Sequence, residues 1–354
     1  MSWQSCRLGD VMTLKRGHDL PEHSRQDGDV PVVSSSGITG RHKEAKAKAP
    51  GVVTGRYGTI GEVFYLEEDY WPLNTALYVI DFKGNDPRFS AYFLRNILKG
   101  YQSEKAAVPG VDRNVLHEIK VLAPAYAAQL RIADILATYD DLIENNRRRM
   151  ALLEESARLL YREWFVRLRF PGYEHTPIVD GVPQGWERAP LEDALVLQRG
   201  FDLPTQNRQD GTVPIYGSTG VLGYHDKAKA TAPGIVTGRS GTLGEVQYVA
   251  KDYWPLNTAL WVKEFRRVTP LFALFLLREM DLKQYNGGAS VPTLGRKSVH
   301  RVEILIPSSL LLRSFDDVAV DIFAQIKNLN VQNQKLRAAR DLLLPRLMSG
   351  EIVV

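Results

Sequence analysis

The residues best suited to chemistry on an anion stand in two glycine-rich loops, "VTGRYGTIGEV" (Val53–Val63) and "VTGRSGTLGEV" (Val236–Val246). Glycines at spacing three (Gly55, Gly58, Gly61; Gly238, Gly241, Gly244) resemble a phosphate cradle, but the spacing is not GxGxxG. No GxxxxGK followed by Ser or Thr occurs anywhere in the chain. Glycines of this kind serve first as tight turns between short strands. A turn does not require the arginine that each loop carries, Arg56 and Arg239. Arginine is the commonest reader of guanine in the major groove and also clamps phosphate, so both residues are expected to contact DNA, at base or backbone.

Two more segments have the composition of a phosphate-positioning surface. "SSSGITGRHK" (Ser34–Lys43) and "GSTGVLGYHD" (Gly217–Asp226) are hydroxyl-rich turns leading into lysine-bearing stretches. Their candidate contacts are Ser34, Ser35, Ser36, Arg41, Lys43, Lys46 and Lys48 in the first copy. In the second they are Ser218, Thr219, Tyr224, Lys227 and Lys229, with Tyr57 and Ser240 following the two arginines. An ordinary serine–glycine turn and a solvated charged face account for the same composition. Arg41/Tyr224, Tyr57/Ser240 and His18/Phe201 differ between the copies, so they are where two related binding surfaces would diverge. "DYWPLNTALY" and "DYWPLNTALW" read instead as a buried tryptophan and strand.

No catalytic constellation accompanies these loops. The seven histidines show neither HxxxH nor HExxH spacing, and the single cysteine, Cys6, excludes thiolate metal clusters. The adenine-methyltransferase tetrapeptide (Asp, Asn or Ser, then Pro-Pro and an aromatic residue) is missing from the sequence. One cysteine also fits a reducing compartment. No apolar run approaches the ~20 residues of a membrane span, so a soluble, cytoplasmic chain is expected. The formal net charge of +4 permits an anionic partner without requiring one.

The elements that position the loops come from a duplication. Ala49–Val79 and Ala232–Val262 are identical at 23 of 31 positions, and the offset of 183 residues holds from Trp3/Trp186 to Pro124/Pro307. It passes through Val108-Pro109/Val291-Pro292 and His117/His300. A period this long is a whole domain, not a solenoid repeat. Short apolar runs broken by turn signals, with helices over Pro87–Gly100 and Pro270–Leu282, make each module α+β.

From Ala125 the texture changes, and the 41 residues as far as Phe165 hold no Gly or Pro. A heptad seam runs through Ile132, Tyr139, Asn146, Leu153 and Leu160, and through Leu136, Ile143, Met150, Ala157 and Trp164. The second copy repeats it with Phe315, Ile322, Leu329, Leu336 and Leu343, and with Ala319, Ile326, Asn333, Arg340 and Leu347. Each helix would be roughly 60 Å long. One antiparallel register places Asn146 opposite Asn333. Arg147–Arg149 fall on the outer face. Apolar residues off the seam (Ile135, Leu142, Leu152, Leu159 and Phe165) exceed what one helix pair buries and read as a subunit-docking flank.

The order and duplication of these features resemble the specificity subunits of type I restriction–modification systems. The resemblance covers nearly the whole chain. It rests on "LGDVMTLKRG" and "LEDALVLQRG", on the arginine loops, on Pro124 and Gln129 at the first helix entry, and on the terminal "LLLPRLMSGEI". The second helix departs from it, since "PSSLLLRSF" has no glutamine at its entry.

The resemblance implies an α+β fold: two pseudo-symmetric mixed α/β target-recognition domains joined by two long antiparallel coiled-coil helices. The expected boundaries are 1–124 and 186–307 for the domains, 125–168 and 308–348 for the helices, 169–185 for a linker and 349–354 for a tail. It also implies a non-catalytic DNA-binding subunit in which each domain reads one half of a bipartite, near-palindromic target in double-stranded DNA. Two methyltransferase subunits would dock on the helices, with S-adenosylmethionine on those partners and no cofactor on this chain. Motor and nuclease subunits would join for cleavage. A nuclease with scattered acidic residues is one rival, supported by metal-dependent cleavage in the purified chain. A protein scaffold without a DNA role is the other, supported by no affinity for nucleic acid.

Overall fold

The computed structural model describes residues 3–57, 61–99, 110–288 and 291–354. Gly58 of the first loop and the Val108-Pro109 pair lie outside the described residues. The chain forms two compact units, Met1–Arg147 with Asn330–Val354, and Arg148–Leu329. The division falls within the two long helices.

In the first unit the elements are β1 (Trp3–Arg7), α1 (Leu8–Val11), β2 (Thr13–Arg16), β3 (Val30–Ser34) and β4 (Gly37–His42). They continue as β5 (Gly51–Gly55), β6 (Val63–Leu66), β7 (Trp71–Pro72), β8 (Ala76–Asp81), α2 (Pro87–Lys99), α3 (Arg113–Glu118) and β9 (Lys120–Pro124). The long α4 (Tyr126–Tyr161) follows. A four-stranded sheet runs β2-β8-β5-β6, and a three-stranded one runs β4-β3-β7. β5 is "GVVTG", buried at every position, because it lies between two neighbours and is covered on both faces.

The second unit takes in the end of α4 and then a short hairpin, β10 (Ile178–Val179) with β11 (Val182–Pro183). Then come β12 (Glu187–Pro190), α5 (Leu191–Ala194), β13 (Leu195–Arg199), β14 (Val213–Gly217), β15 (Gly220–His225) and β16 (Gly234–Gly238). β17 (Val246–Val249), β18 (Trp254–Pro255), β19 (Ala259–Phe265), α6 (Pro270–Glu279), α7 (Arg296–His300), β20 (Glu303–Ile306) and α8 (Ser309–Met348) complete the chain. Its sheets run β13-β19-β16-β17 and β15-β14-β18, the same order as in the first unit.

Equivalent contacts lock each module. His117 Nε2 accepts the Leu14 N–H at 2.9 Å, and His300 Nε2 accepts the Leu197 N–H at 2.9 Å. Gly17 and Gly200 lie so close to the next strand that a Cβ would come 2.2 Å from the carbonyls of Leu73 and Leu256. Any larger side chain there would push the strands apart. Tyr70 and Tyr253 are fully buried, and burial holds both phenols far above their usual pKa. Trp71 and Trp254 are buried, as the repeated aromatic segment suggests.

The helix seam is legible within each unit. In the first, Asn146 and Asn333 are buried, and Asn146 Nδ2 donates to Asn333 Oδ1 at 3.0 Å. Asn333 Nδ2 then donates to the Ile143 carbonyl at 3.2 Å. Arg340, a charged residue on the seam, is bonded by Asp140 and Asp341. Tyr92 donates to the same Asp140 carboxylate at 2.7 Å. In the second unit Ala157, Tyr161, Phe315 and Ala319 join one buried cluster with α6.

Four details depart from expectation. α4 gives way at Arg162 to a five-residue π turn (Arg162–Val166), where a helix to residue 168 was expected. Phe165 is buried against Phe272 at 4.9 Å, Phe315 at 5.3 Å and Trp186 at 5.9 Å, so it is a core residue and not part of a docking flank. Ile135 is half-buried against the first unit's core. The segment 169–185 is anchored as well, because Phe170 is buried beside Trp186.

Candidate nucleic-acid interface

The arginine loops are built from identical backbone contacts. Arg56 N–H donates to the Thr75 carbonyl at 2.9 Å, and Arg239 N–H donates to the Thr258 carbonyl at 2.8 Å. On the other side Val111 N–H donates to Arg56 O, and Leu294 N–H to Arg239 O, each at 2.8 Å. Both arginines are therefore held by two backbone hydrogen bonds, while their half-exposed side chains are held differently. Arg56 lies 4.5 Å over the ring of exposed Tyr57. Arg239, followed by Ser240, donates instead to the Asn257 carbonyl at 3.3 Å.

The serine turns sort into structural and available hydroxyls. Ser34 is buried and closes the β3–β4 turn, bonded to Ser36 Oγ at 3.0 Å and the Gly37 carbonyl at 3.2 Å. That corrects its assignment as a DNA contact, since a hydroxyl spent inside a turn cannot face a phosphate. Ser36 and Thr219 are exposed, while Ser35 and Ser218 are half-exposed. Ser218 sits beside the second arginine loop: a Cβ on Gly238 would lie 3.3 Å from its carbonyl.

Lys43, Lys46, Lys48, Lys227 and Lys229 are all exposed. Only Lys46 and Lys229 occupy equivalent positions, and each holds its ammonium over a tryptophan ring, Trp71 at 5.0 Å and Trp254 at 5.4 Å. Both backbones are tied there by a 3.0 Å bond to the carbonyl of Tyr70 or Tyr253. Lys48 is paired to Asp69 at 2.6 Å, and this bond holds the Asp69 carboxyl below the usual carboxylate range. Arg41 and Tyr224 are exposed on β4 and β15, with Arg41 donating to the Asp29 carbonyl.

Sequence reasoning missed a repeated polar group beside these loops. Asn74 donates to Asp19 and Asn257 to Asp202, with Arg16 and Arg199 within 3.9 Å and 3.3 Å of those carboxylates. The recurrence of "RGHDLP" and "RGFDLP" was the available signal. Among the described residues no group of three or more His, Cys, Asp or Glu could hold a metal ion, and no helix is long and apolar enough to cross a membrane.

Residues 1–155 match the family model of the type I restriction modification DNA specificity domain. Over those residues the chain is similar to that family. It is similar to the MjaIX specificity subunit of Methanocaldococcus jannaschii, 24% identical over 278 residues, which span 70% of this chain and 63% of that protein. It is also similar to the HindI specificity subunit of Haemophilus influenzae, 22% identical over 340 residues, with 71% and 73% covered. The fold is similar to that of a type I restriction-modification system S subunit from M. genitalium, with a TM-score of 0.60 at 16% identity over 98% of this chain and 96% of that one.

Proposed function

We propose that the chain is the non-catalytic specificity subunit of a type I restriction–modification complex. Each module reads one half of a bipartite, near-palindromic DNA target as one of two pseudo-symmetric target-recognition domains. The paired helices act as an antiparallel coiled-coil spacer. Two methyltransferase subunits dock on the chain and carry S-adenosylmethionine, with motor and nuclease subunits joining for cleavage. The observation that carries this reading is the arginine loop, whose backbone is fixed by the same bonds at Arg56 and Arg239. Selection for two separate solutions would not reproduce one mount so closely, whereas two halves of one target require it.

Exposed Leu142, Leu152 and Leu159 supply the apolar flank for the docked subunits, at 45%, 70% and 49% exposure. Binding to randomised and to target duplex tests the reading. Affinity for target DNA should exceed that for random DNA, and both should fall linearly in log–log terms as salt rises. Salt-insensitive behaviour with no affinity for duplex would place the chain among protein scaffolds instead.

A further inference from the structure

Both units carry the same hairpin frame, β3–β4 and β14–β15, and dress its outer face differently. Each hairpin has a bulge at the same place, between Val32 and Val33 and between Ile215 and Tyr216. The bulge turns two successive residues outward, Ile38 and Thr39 in the first copy, Val221 and Leu222 in the second. An arginine braces the ribbon from one side: Arg25 donates to the Thr39 carbonyl at 3.1 Å, and Arg208 to the Leu222 carbonyl at 3.5 Å. Gly40 leaves room for that brace, since a Cβ there would lie 2.7 Å from Arg25 Nη1. On the other face His42 and His225 are buried edge-on to Trp71 and Trp254, at 5.1 Å and 5.2 Å.

The outward side chains do not belong in water. Ile38 is 56% exposed, Val221 46%, Leu222 47% and Tyr224 59%. Aliphatic exposure at equivalent positions of two modules marks a contact surface. Cations stand on the same stretch of chain, with Arg41 on the first hairpin, Lys43 and Lys46 after it, and Lys227 and Lys229 after the second. A two-stranded ribbon fits the major groove, and apolar side chains contact the thymine methyl there while arginine reads guanine. An apolar ribbon flanked by cations suits duplex DNA better than an apolar protein surface.

We infer that these hairpins are the base-reading elements of the two modules and that they make the half-sites unequal at one or two base pairs. This rests on the proposed DNA-reading function and deepens it. Arg41, beside Thr39, selects guanine in the first half-site. Leu222 and Tyr224 select an A·T pair through the thymine methyl in the second. Elsewhere the halves match, because the frames match.

The test exchanges the two faces in the full chain expressed with its modification subunit. Thr39→Leu/Arg41→Tyr converts the first hairpin, and Leu222→Thr/Tyr224→Arg converts the second; methylated adenines are mapped in each case. The first variant should trade the guanine of its half-site for the A·T pair of the other, and the second should do the reverse. Preference should shift about tenfold or more. The exchanged residues are exposed, and if one variant melts early the other still decides the matter. Unchanged half-sites in a well-folded variant would overturn the assignment. If the unaltered chain directs no bipartite modification, the underlying function fails rather than the hairpin alone.

Discussion

Arg56 and Arg239 are mounted alike and finished differently, and this is the residue-scale expectation of a duplicated reader. Arg56→Ala and Arg239→Ala should each weaken target binding by ~1–3 kcal/mol if the contact is bidentate to guanine. Equilibrium titration against target duplex measures this, and no change in affinity or in salt slope would remove the loops from the interface. His117 and His300 give a second expectation. Both rings accept a backbone N–H and so must be neutral at that nitrogen, and burial, then Arg113 or Arg296, lowers their pKa. The folded value lies below the unfolded one near 6.5, so the stabilisation is complete above about pH 6.5 and is lost as pH falls through the lowered value. The melting temperature should therefore drop between pH 7 and pH 5, and His117→Gln with His300→Gln should flatten that drop. An acid slope unchanged in the double variant would assign the pH dependence to other groups.

At the scale of elements, the heptad pattern in the sequence marks both long helices and the register that pairs Asn146 with Asn333. Such a pair is legible because a polar residue on an apolar seam has few ways to be satisfied. Phe165 was misread for the opposite reason. Its place off the seam is real, but the seam counts only helix–helix burial and not the aromatic cluster that α6 and Trp186 bring to it. Ser34 was misread because a turn and a phosphate site call for the same hydroxyl. The helix entries also differ in a way the sequence only half shows. Gln129 joins Asp86, Asn85 and Pro124 by hydrogen bonds of 2.7–3.0 Å. The second entry has no such glutamine and instead bonds Thr269 to Asp316 at 3.0 Å, with burial raising the Asp316 pKa. Phe315 is fully buried among Tyr161, Phe165 and Phe275. Phe315→Ala should cost about 3–5 kcal/mol in chemical denaturation, and a loss under 1 kcal/mol would show that this cluster does not hold the second unit together.

For the whole molecule, the duplication was the most legible feature, since an offset of 183 residues that never slips requires no structural knowledge to see. What it could not show was which residues of each copy are frame and which are contact, a distinction that needs burial and hydrogen bonding. If the helices are the spacer, inserting about four residues between Glu144 and Asn145, roughly 6 Å of helix, should lengthen the preferred gap by one or two base pairs. The bases of both half-sites should stay the same. A change in the bases read with the gap intact would take the helices out of that role.

The central claim is that two nearly identical modules read two nearly identical half-sites. The most direct measurement is a map of methylated adenines in DNA from cells that express this chain with the proposed methyltransferase partner. The account predicts one bipartite motif with a fixed gap, whose halves form a near inverted repeat. A single undivided motif, or two halves with unrelated bases, would contradict it.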